Sequence, residues 1–407
     1  MTRPVALALL AALLSTNAEA ESVELGPAVE ANISAIHSRN PDLRDDAFAK
    51  MGGSSVVSKA FLHCLATPYV DLGDRTELRE TIDYFDTGRR NSFNRQSRAA
   101  GVSWNLRYVL GGRPAHFREE IQAADARWAL VLFGSNDAQN RNERIYARRL
   151  VYLVEELEEM GVVPVLGSGS PRRNKTKDRW VQRFNAITKA VATHWQLPYI
   201  DYHGAMSQLR RQGLARDGVH PNVLGHGGMR AACQLTEKGL RYGNNVRNLL
   251  TLEMLDALRR VVAASASALA SAPASVPAPA SVPASATVPA PVALGDLPFS
   301  VVVDKPALGV GELPAGCGRL RPGAWTYRVP IAVEEPTRLR VSAFDLDGFQ
   351  PRVFWIRVGE DGARCVKRRN RTLEVAASLG LWDLIVEVTD RAAEKGEMLI
   401  LIDRNPR

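Results

Sequence analysis

An unbroken apolar run that ends in a polar turn constrains the fold of this chain more than any other stretch. Residues 128–133 are all apolar, and Gly134-Ser135-Asn136-Asp137 follow directly. Such a run ending in Gly is typical of a buried parallel strand. Because ligands of open α/β sheets bind at the carboxyl ends of the strands, the sequence places a candidate functional site at this turn.

Strand-like and helix-like segments alternate on both sides of this run. The apolar residues recur near helical spacing at 145–157 and at steps of four, three and four at 180–191, which is typical of a helix that packs one face on a sheet. In chain order, the predicted elements are a strand at 47–51, the strand at 128–133, a helix at 145–157, a strand at 162–166, a helix at 180–191, a strand at 197–201 and a closing helix at 249–262. This alternation predicts an α/β fold with a parallel sheet over residues 45–262.

A segment of low complexity divides the chain, which at 407 residues exceeds one ordinary core. Residues 263–295 are almost entirely Ala, Ser, Pro and Val, a composition that favours an extended, semi-stiff spacer. The sequence then predicts a small β-sandwich at 296–407. Its β-type runs, separated by Gly and Pro, are 325–333, 338–344, 353–358, 381–388 and 398–402.

The N-terminal residues predict export. Residues 1–20 combine one basic residue, an apolar stretch and the ending Ala18-Glu19-Ala20, a pattern typical of a cleaved secretory signal peptide. This apolar stretch is too short to span a bilayer, and no later run approaches spanning length, so we expect a secreted or periplasmic protein without an integral membrane segment. Residues 21–44 show no clear period and predict an irregular leader with at most one short helix.

Export permits disulfides, and the chain has four cysteines, which admit three pairings. Because the linker separates the cysteines two and two, we favour Cys64 with Cys233 and Cys317 with Cys365. Metal binding is not expected, since no C-x-x-C or His-rich spacing is present.

The net charge of +8 favours acidic surfaces or polyanionic glycans as partners. The basic residues are dispersed, however, and no aromatic-interleaved motif is present, so we expect no nucleic-acid partner. One basic cluster, Arg172, Arg173, Lys175 and Lys177, falls in the predicted loop after a parallel strand, where substrate should lie. It could hold an acidic glycan, although charge runs of this kind are usually solvated.

Three short motifs occur in an order that resembles one enzyme family. A small-residue turn with Ser at 52–54, the G-S-N-D turn and D-x-x-H at 217–220 follow one another as in the SGNH (GDSL-type) hydrolases. The resemblance covers about residues 45–258, and it implies a flavodoxin-like three-layer α/β/α fold and hydrolysis of esters or O-acetyl groups without a cofactor. The residues that match the family's site are Ser54, Asn136, Asp217 and His220.

Ser54, His220 and Asp217 can form a catalytic triad. A serine hydroxyl becomes nucleophilic when an imidazole takes its proton, and a carboxylate holds that imidazole in the required tautomer. The three-residue step from Asp217 to His220 suits one tight turn, in which the carboxylate reaches the far ring nitrogen. The oxyanion needs donors placed in advance, and Asn136 offers its side-chain amide while Ser54 offers its backbone N–H.

Two positions depart from the family pattern. The family has G-D-S where this chain has G-G-S, so Gly53 replaces the Asp before the nucleophile, and we expect a working but slow hydrolase. In the second motif block, residues 99–104 resemble the family segment that supplies an oxyanion Gly. This predicts Gly101 as a donor, with Ser103 or Trp104 as the alternatives.

Each candidate also has a simpler structural interpretation. Ser54 alone in a small-residue turn would be a helix cap, and Ser55 or Ser58 could compete as the nucleophile. Asn136 and its neighbours alone would form a turn. Among the other histidines, only His226 is close enough in sequence to rival His220 as the base.

We therefore expect an exported serine esterase that removes acyl or acetyl groups from a carbohydrate or a small ester, with no cofactor and no metal. A catalytically weakened SGNH-fold glycan-binding protein is the alternative, because Gly53 and the second block depart from the family. The β-sandwich resembles the prepeptidase C-terminal type of accessory domain, and 345–348 (Asp-Leu-Asp-Gly) is expected to be a turn rather than a calcium loop. The sequence predicts neither an oligomeric state nor the acyl and alcohol specificity.

Overall fold

The structure is a computed structural model that describes residues 23–271, 292–293, 297–303, 324–346, 352–359, 362–370, 372–377, 380–389 and 398–404. The predicted signal peptide, most of the predicted linker, and Asp347 and Gly348 of the predicted turn lie outside these residues. None of the described helices is both long enough and apolar enough to cross a membrane.

The N-terminal domain is built on a parallel sheet. Its strands are β1 (Arg44–Gly52), β2 (Ala126–Leu132), β3 (Val163–Gly167) and β4 (Tyr199–Ile200), which lie side by side in the order β1-β2-β3-β4. β3 is buried along its whole length and β2 is buried up to Leu132, which explains why neither strand alternates polar and apolar residues. The predicted strands are confirmed.

A short segment at 99–101 lies on the other side of β1. Gly52 N donates to Ala99 O at 3.2 Å, and Gly101 N donates to Gly52 O at 3.1 Å, as in a parallel strand pair. Counting this segment, the spatial order of the five chain segments is 2-1-3-4-5, the flavodoxin-like order. The predicted topology is therefore present with its second strand reduced to a bridge.

Layers of helices flank the sheet, which confirms the predicted α/β/α architecture. α6 and α7 pack against each other and against β3, whereas α10 packs against α3, α8 and β4. The helices are α1 (Pro27–Arg39), α2 (Ser54–Val57), α3 (Leu78–Phe85), α4 (Leu106–Val109), α5 (His116–Ala124), α6 (Glu143–Glu159), α7 (Lys175–His194), α8 (Tyr202–Ser207), α9 (Gly228–Ala231) and α10 (Gly243–Ser271).

Two helices extend beyond the predicted elements. Most of the supposed irregular leader is α1, which begins at Pro27, a residue favoured at the first helical position, and buries Ile33 and Ile36 in the core. α10 continues to Ser271, past the predicted domain boundary at residue 262. The Ala-rich sequence there has high helix propensity, so it extends the helix before the Pro-rich repeats begin.

A disulfide joins Cys64 and Cys233, as predicted. It links the segment after α2 to the segment before α10, across a sequence separation of 169 residues. Asn248 of α10 donates to Ala60 O at 2.9 Å and to Ala232 O at 3.0 Å, so it fastens the helix to both segments. The second predicted pair includes Cys317, which is outside the described residues.

The C-terminal domain is a β-sandwich, as predicted. Two sheets, of order β10-β9-β12-β7-β5 and β11-β8-β13-β6, pack their inner faces around one apolar core and are antiparallel except where β5 pairs with β7. The strands are β5 (Val292–Ala293), β6 (Phe299–Val303), β7 (Ala324–Val333), β8 (Thr337–Asp345), β9 (Arg352–Gly359), β10 (Gly362–Asn370), β11 (Thr372–Ala377), β12 (Gly380–Thr389) and β13 (Met398–Arg404). The resemblance to prepeptidase C-terminal domains stays a prediction.

The outer face of the β11-β8-β13-β6 sheet packs on α7. Phe344 and Leu401 from this face join the apolar core of the N-terminal domain. Beside them, the buried Arg183 of α7 bonds to Asp403 at 2.7 Å and also to Glu143. The two domains therefore share a packed interface.

Candidate active site

Ser54 is the first residue of α2 and follows β1 through the single residue Gly53. Its Oγ lies 2.8 Å from Nε2 of His220. The helix can approach the sheet this closely because Gly52 has no side chain: a Cβ there would overlap Val56 and lie 2.9 Å from Leu132 O. The tight turn thus presents the Ser54 hydroxyl at the carboxyl end of β1.

His220 is held by the carboxylate of Asp217. Its Nδ1 lies 2.7 Å from Asp217 Oδ2, while Oδ1 of the same carboxylate accepts the backbone N–H groups of Val219 and His220 at 2.9 and 3.0 Å. Burial raises the pKa of Asp217, but the hydrogen bonds from His220 and the two amides outweigh it and lower the pKa to about 2. With an ionised Asp217 accepting from Nδ1–H, the free lone pair of Nε2 faces the Ser54 hydroxyl.

Two arginines hold the 215–220 loop that carries this pair. Arg172 Nη1 donates to one carbonyl oxygen of the loop at 2.7 Å, and Arg173 donates to two others at 2.7 and 2.8 Å. Both side chains therefore bind the protein's own backbone, a role that the sequence pattern did not predict. Lys175 and Lys177 belong to the first turn of α7 and are exposed. The predicted basic cluster therefore consists of two arginines that bind the 215–220 loop and two lysines at the beginning of a helix.

Asn136 lies in the turn after β2. Its Nδ2 donates to Trp104 O at 2.8 Å, and the turn requires Gly134, whose φ of +108° favours glycine. The buried Asp137 accepts the backbone N–H groups of Gly134 and Leu106, both at 3.1 Å. Burial raises the pKa of Asp137 to about 6, although these hydrogen bonds act in the opposite direction. Asp137 therefore ties the Asn136 turn to the segment that follows Trp104.

The oxyanion role predicted for Gly101 is less well supported than the alternative at Ser103. Its backbone N–H is already bonded to Gly52 O in the strand-like bridge, and the cavity beside the nucleophile is lined by Val102, Ser103 and Trp104 instead. Ser103 has a φ of +65°, in the left-handed region where glycine is favoured. The other predicted alternative, Trp104, already uses its backbone N–H, which donates to Gly101 O at 3.2 Å.

A side chain at Gly53, such as the Asp of the family pattern, would crowd the amide of Asn136. A Cβ at this position would lie 2.8 Å from Asn136 Nδ2 and 3.4 Å from Trp104 O. The side-chain amide of Asn136 therefore fills the space that a larger residue would need. A side chain at position 53 would therefore displace this amide from its observed position.

The other serines considered as the nucleophile, Ser55 and Ser58, make no hydrogen bond to the ring of His220 in the described part of the chain. Among the described side chains, His220 Nε2 bonds to Ser54 and to neither Ser55 nor Ser58, whose Oγ accepts from Ala60 N at 3.2 Å. The side chain of His226 is not among those described.

The nucleophile opens into a cavity of about 260 Å³. Small, apolar and amide side chains line most of it, and its charged or titratable lining residues are Arg172, His220 and Arg247. No sequence motif includes Arg247, which lies in α10, 27 positions after His220 in the chain. Within the described residues, no group of three or more His, Cys, Asp and Glu side chains is arranged to hold a metal ion.

Residues 69–227 match the model of the GDSL-like Lipase/Acylhydrolase family, a range that contains Asn136, Asp217 and His220. Ser54 precedes this range, so its assignment depends on its contact with His220. Sequence comparison with curated proteins gives no match.

Solved structures similar to parts of this chain include an acetylxylan esterase and a GDSL-like lipase. One is an acetylxylan esterase from Geobacillus stearothermophilus, with 14% identity and a TM-score of 0.35 over 51% of this chain and 93% of that chain. Another is a GDSL-like lipase from Bacteroides thetaiotaomicron, with 16% identity and a TM-score of 0.35 over 56% of this chain and 98% of that chain.

Proposed function

We propose that the N-terminal α/β domain is a member of the GDSL-like lipase/acylhydrolase family, and that this chain is an exported serine esterase whose catalytic triad is Ser54, His220 and Asp217. The observation that carries the proposal is the continuous array of hydrogen bonds from Ser54 Oγ through His220 to Asp217, at 2.8 and 2.7 Å. The first distance is in hydrogen-bond range for a nucleophile and its base, and the second is in the same range for the base and the carboxylate that orients it.

In the proposed reaction, Ser54 Oγ attacks the ester carbonyl while its proton passes to His220 Nε2. Asp217 stabilises the imidazolium that forms. The oxyanion accepts hydrogen bonds from the N–H of Ser54, the amide of Asn136 and the N–H of Ser103. His220 then gives the proton to the departing alcohol, and a water molecule, deprotonated by the same imidazole, cleaves the acyl-enzyme and releases the acid.

We propose that the substrate is an O-acylated carbohydrate. The side chains of His220 and Asp217 are 45% and 48% exposed, so the nucleophile is accessible to a bulky alcohol group. A second cavity, of about 520 Å³, lies between α7 and the β-sandwich and shares Arg172 with the first. Its basic lining residues are Arg172, Arg173, Lys175, Arg179 and Arg404. A glycan chain bound at the nucleophile could continue into this cavity.

Export is proposed from the N-terminal pattern, and the disulfide between Cys64 and Cys233 supports it, since structural disulfides form and persist mainly in oxidising compartments.

The basic second cavity also supports the other candidate function, glycan binding without catalysis, because it does not involve the triad. Measuring hydrolysis of 4-nitrophenyl acetate and butyrate by wild type, Ser54→Ala and His220→Ala separates the two. We expect turnover by wild type, loss of at least about 10³-fold in kcat in both variants, and little change in the control Ser58→Ala. Equal inactivity of all four proteins, together with glycan binding, would support the binding protein instead.

A further inference from the structure

We propose that the substrate carries an anionic group, a carboxylate in the simplest case, and that Arg247 binds this group at the wall of the catalytic cavity. The inference rests on the proposed esterase function and adds a substrate class to it.

Arg247 is buried without a counter-ion. Only 3% of the residue is exposed, and in the described part of the chain no carboxylate pairs with its guanidinium. Its contacts are one hydrogen bond from Nη1 to Ser55 O at 3.3 Å and the ring faces of Phe61 and Tyr202, 4.4 and 5.0 Å from Cζ. Its Nε is a buried donor with no hydrogen-bond acceptor.

The other fully buried arginines of the described residues show what such a side chain normally requires. Arg127 bonds to Asp45 and to two backbone carbonyl groups. Arg183 lies between Glu143 and Asp403. A buried charge is costly unless it is paired, and aromatic faces offset only part of that cost. Arg247 is therefore the one of these three arginines without a carboxylate partner, and an incoming anion would supply that partner.

Because Arg247 lies at the catalytic cavity, we infer that the anion that pairs with it is part of a substrate. Arg247 lines the same cavity as Ser54 and bonds to the residue next to it. The cavity is lined by no Asp or Glu among the described residues, and its second cation, Arg172, interacts electrostatically with Asp178 and Asp217. A planar guanidinium with unused donors suits a carboxylate, which can accept two parallel hydrogen bonds.

The anionic group could belong to the acyl or to the alcohol part of the ester, so two matched substrate pairs are needed. The acyl pair is mono-4-nitrophenyl adipate against 4-nitrophenyl hexanoate, and the alcohol pair is 4-acetoxybenzoate against its methyl ester. For each pair we would measure the ratio of kcat/KM, anionic over neutral, in wild type, Arg247→Gln and the control Arg241→Gln, an exposed residue outside the cavity.

We expect wild type to prefer the anionic member of one pair, and Arg247→Gln to reduce that ratio by about 10- to 100-fold, whereas Arg241→Gln leaves it unchanged. The pair that responds identifies the part of the ester that carries the charge. If Arg247 only supports the Ser55 backbone, its loss would slow neutral and anionic esters equally, and the ratio would not change.

Turnover of neutral esters with no preference in either pair would overturn the inference and leave the esterase proposal intact. Inactivity on all four esters would count against the esterase instead. In that case, calorimetry with adipate and 4-hydroxybenzoate tests the anion site directly. The inference requires that one of these carboxylates binds to wild type and that neither binds to Arg247→Gln.

Discussion

The substitution Gly53→Ala should lower esterase activity while leaving the fold intact. The added Cβ would lie 2.8 Å from Asn136 Nδ2, and an ordinary contact begins at 3.4 Å, so the amide must move by about 0.6 Å. The obstructing atom is the end of a side chain, and the φ of −89° at Gly53 suits any residue. The protein can therefore accommodate the change, but the proposed oxyanion donor loses its position.

The expected loss of kcat can be estimated from the contribution that one oxyanion donor makes to lowering the barrier. Complete loss of an oxyanion donor costs about 3 kcal/mol of barrier, or about 10²-fold in kcat. Because Gly53→Ala displaces Asn136 without removing it, we expect kcat for 4-nitrophenyl acetate to fall by about 10- to 100-fold. Gly53→Asp, which restores the family's G-D-S sequence, should be at least as slow.

The control is Gly26→Ala, since a Cβ at that position meets nothing within 4 Å. Gly26→Ala should match wild type in kcat, whereas Gly53→Ala should lose kcat, and both variants should keep a cooperative urea-unfolding transition. Undiminished or raised activity in Gly53→Asp would refute the reasoning. It would mean that the missing Asp, and not the crowding at Asn136, limits the enzyme.

Three other changes test separate parts of the structure. Asp217→Asn should reduce kcat by about 10²- to 10⁴-fold at neutral pH. Because the pKa of Asp217 is lowered from 3.8 to about 2, wild type should also be the more stable protein above pH 4 and lose that advantage as the pH falls towards 2, measured by urea unfolding. Replacing Cys64 and Cys233 together by Ala should lower the free energy of unfolding by about 2–5 kcal/mol, and an unchanged urea midpoint would count against the disulfide. Arg173→Met removes two hydrogen bonds to the 215–220 loop and should lower kcat for the neutral ester 4-nitrophenyl acetate by about 3- to 10-fold. If only anionic substrates are affected, Arg173 binds substrate rather than the loop.

The features that the sequence could predict involve residues that are close together in the chain. The apolar run at 128–133 is uninterrupted because β2 is buried between helical layers, and its turn is visible as G-S-N-D. The step from Asp217 to His220 is three residues, so one turn is enough to bring the carboxylate to Nδ1.

The remaining features depend on contacts between distant segments. Ser103 has a positive φ and follows the bridge between Gly101 and Gly52, and a serine gives no sign of either feature in the sequence. Arg247 is 193 positions after Ser54 in the chain and reaches the cavity only because α10 packs beside α2 and α8. In α1, the two buried isoleucines alone were too few to show a helical period.

Reaction with a fluorophosphonate, followed by peptide mass spectrometry, tests the central claim most directly. We predict one adduct per chain, located on Ser54, and at least about 10²-fold slower labelling of His220→Ala, because the hydroxyl then lacks its base. An adduct on Ser55 or Ser58, or labelling that does not depend on His220, would contradict the proposed triad.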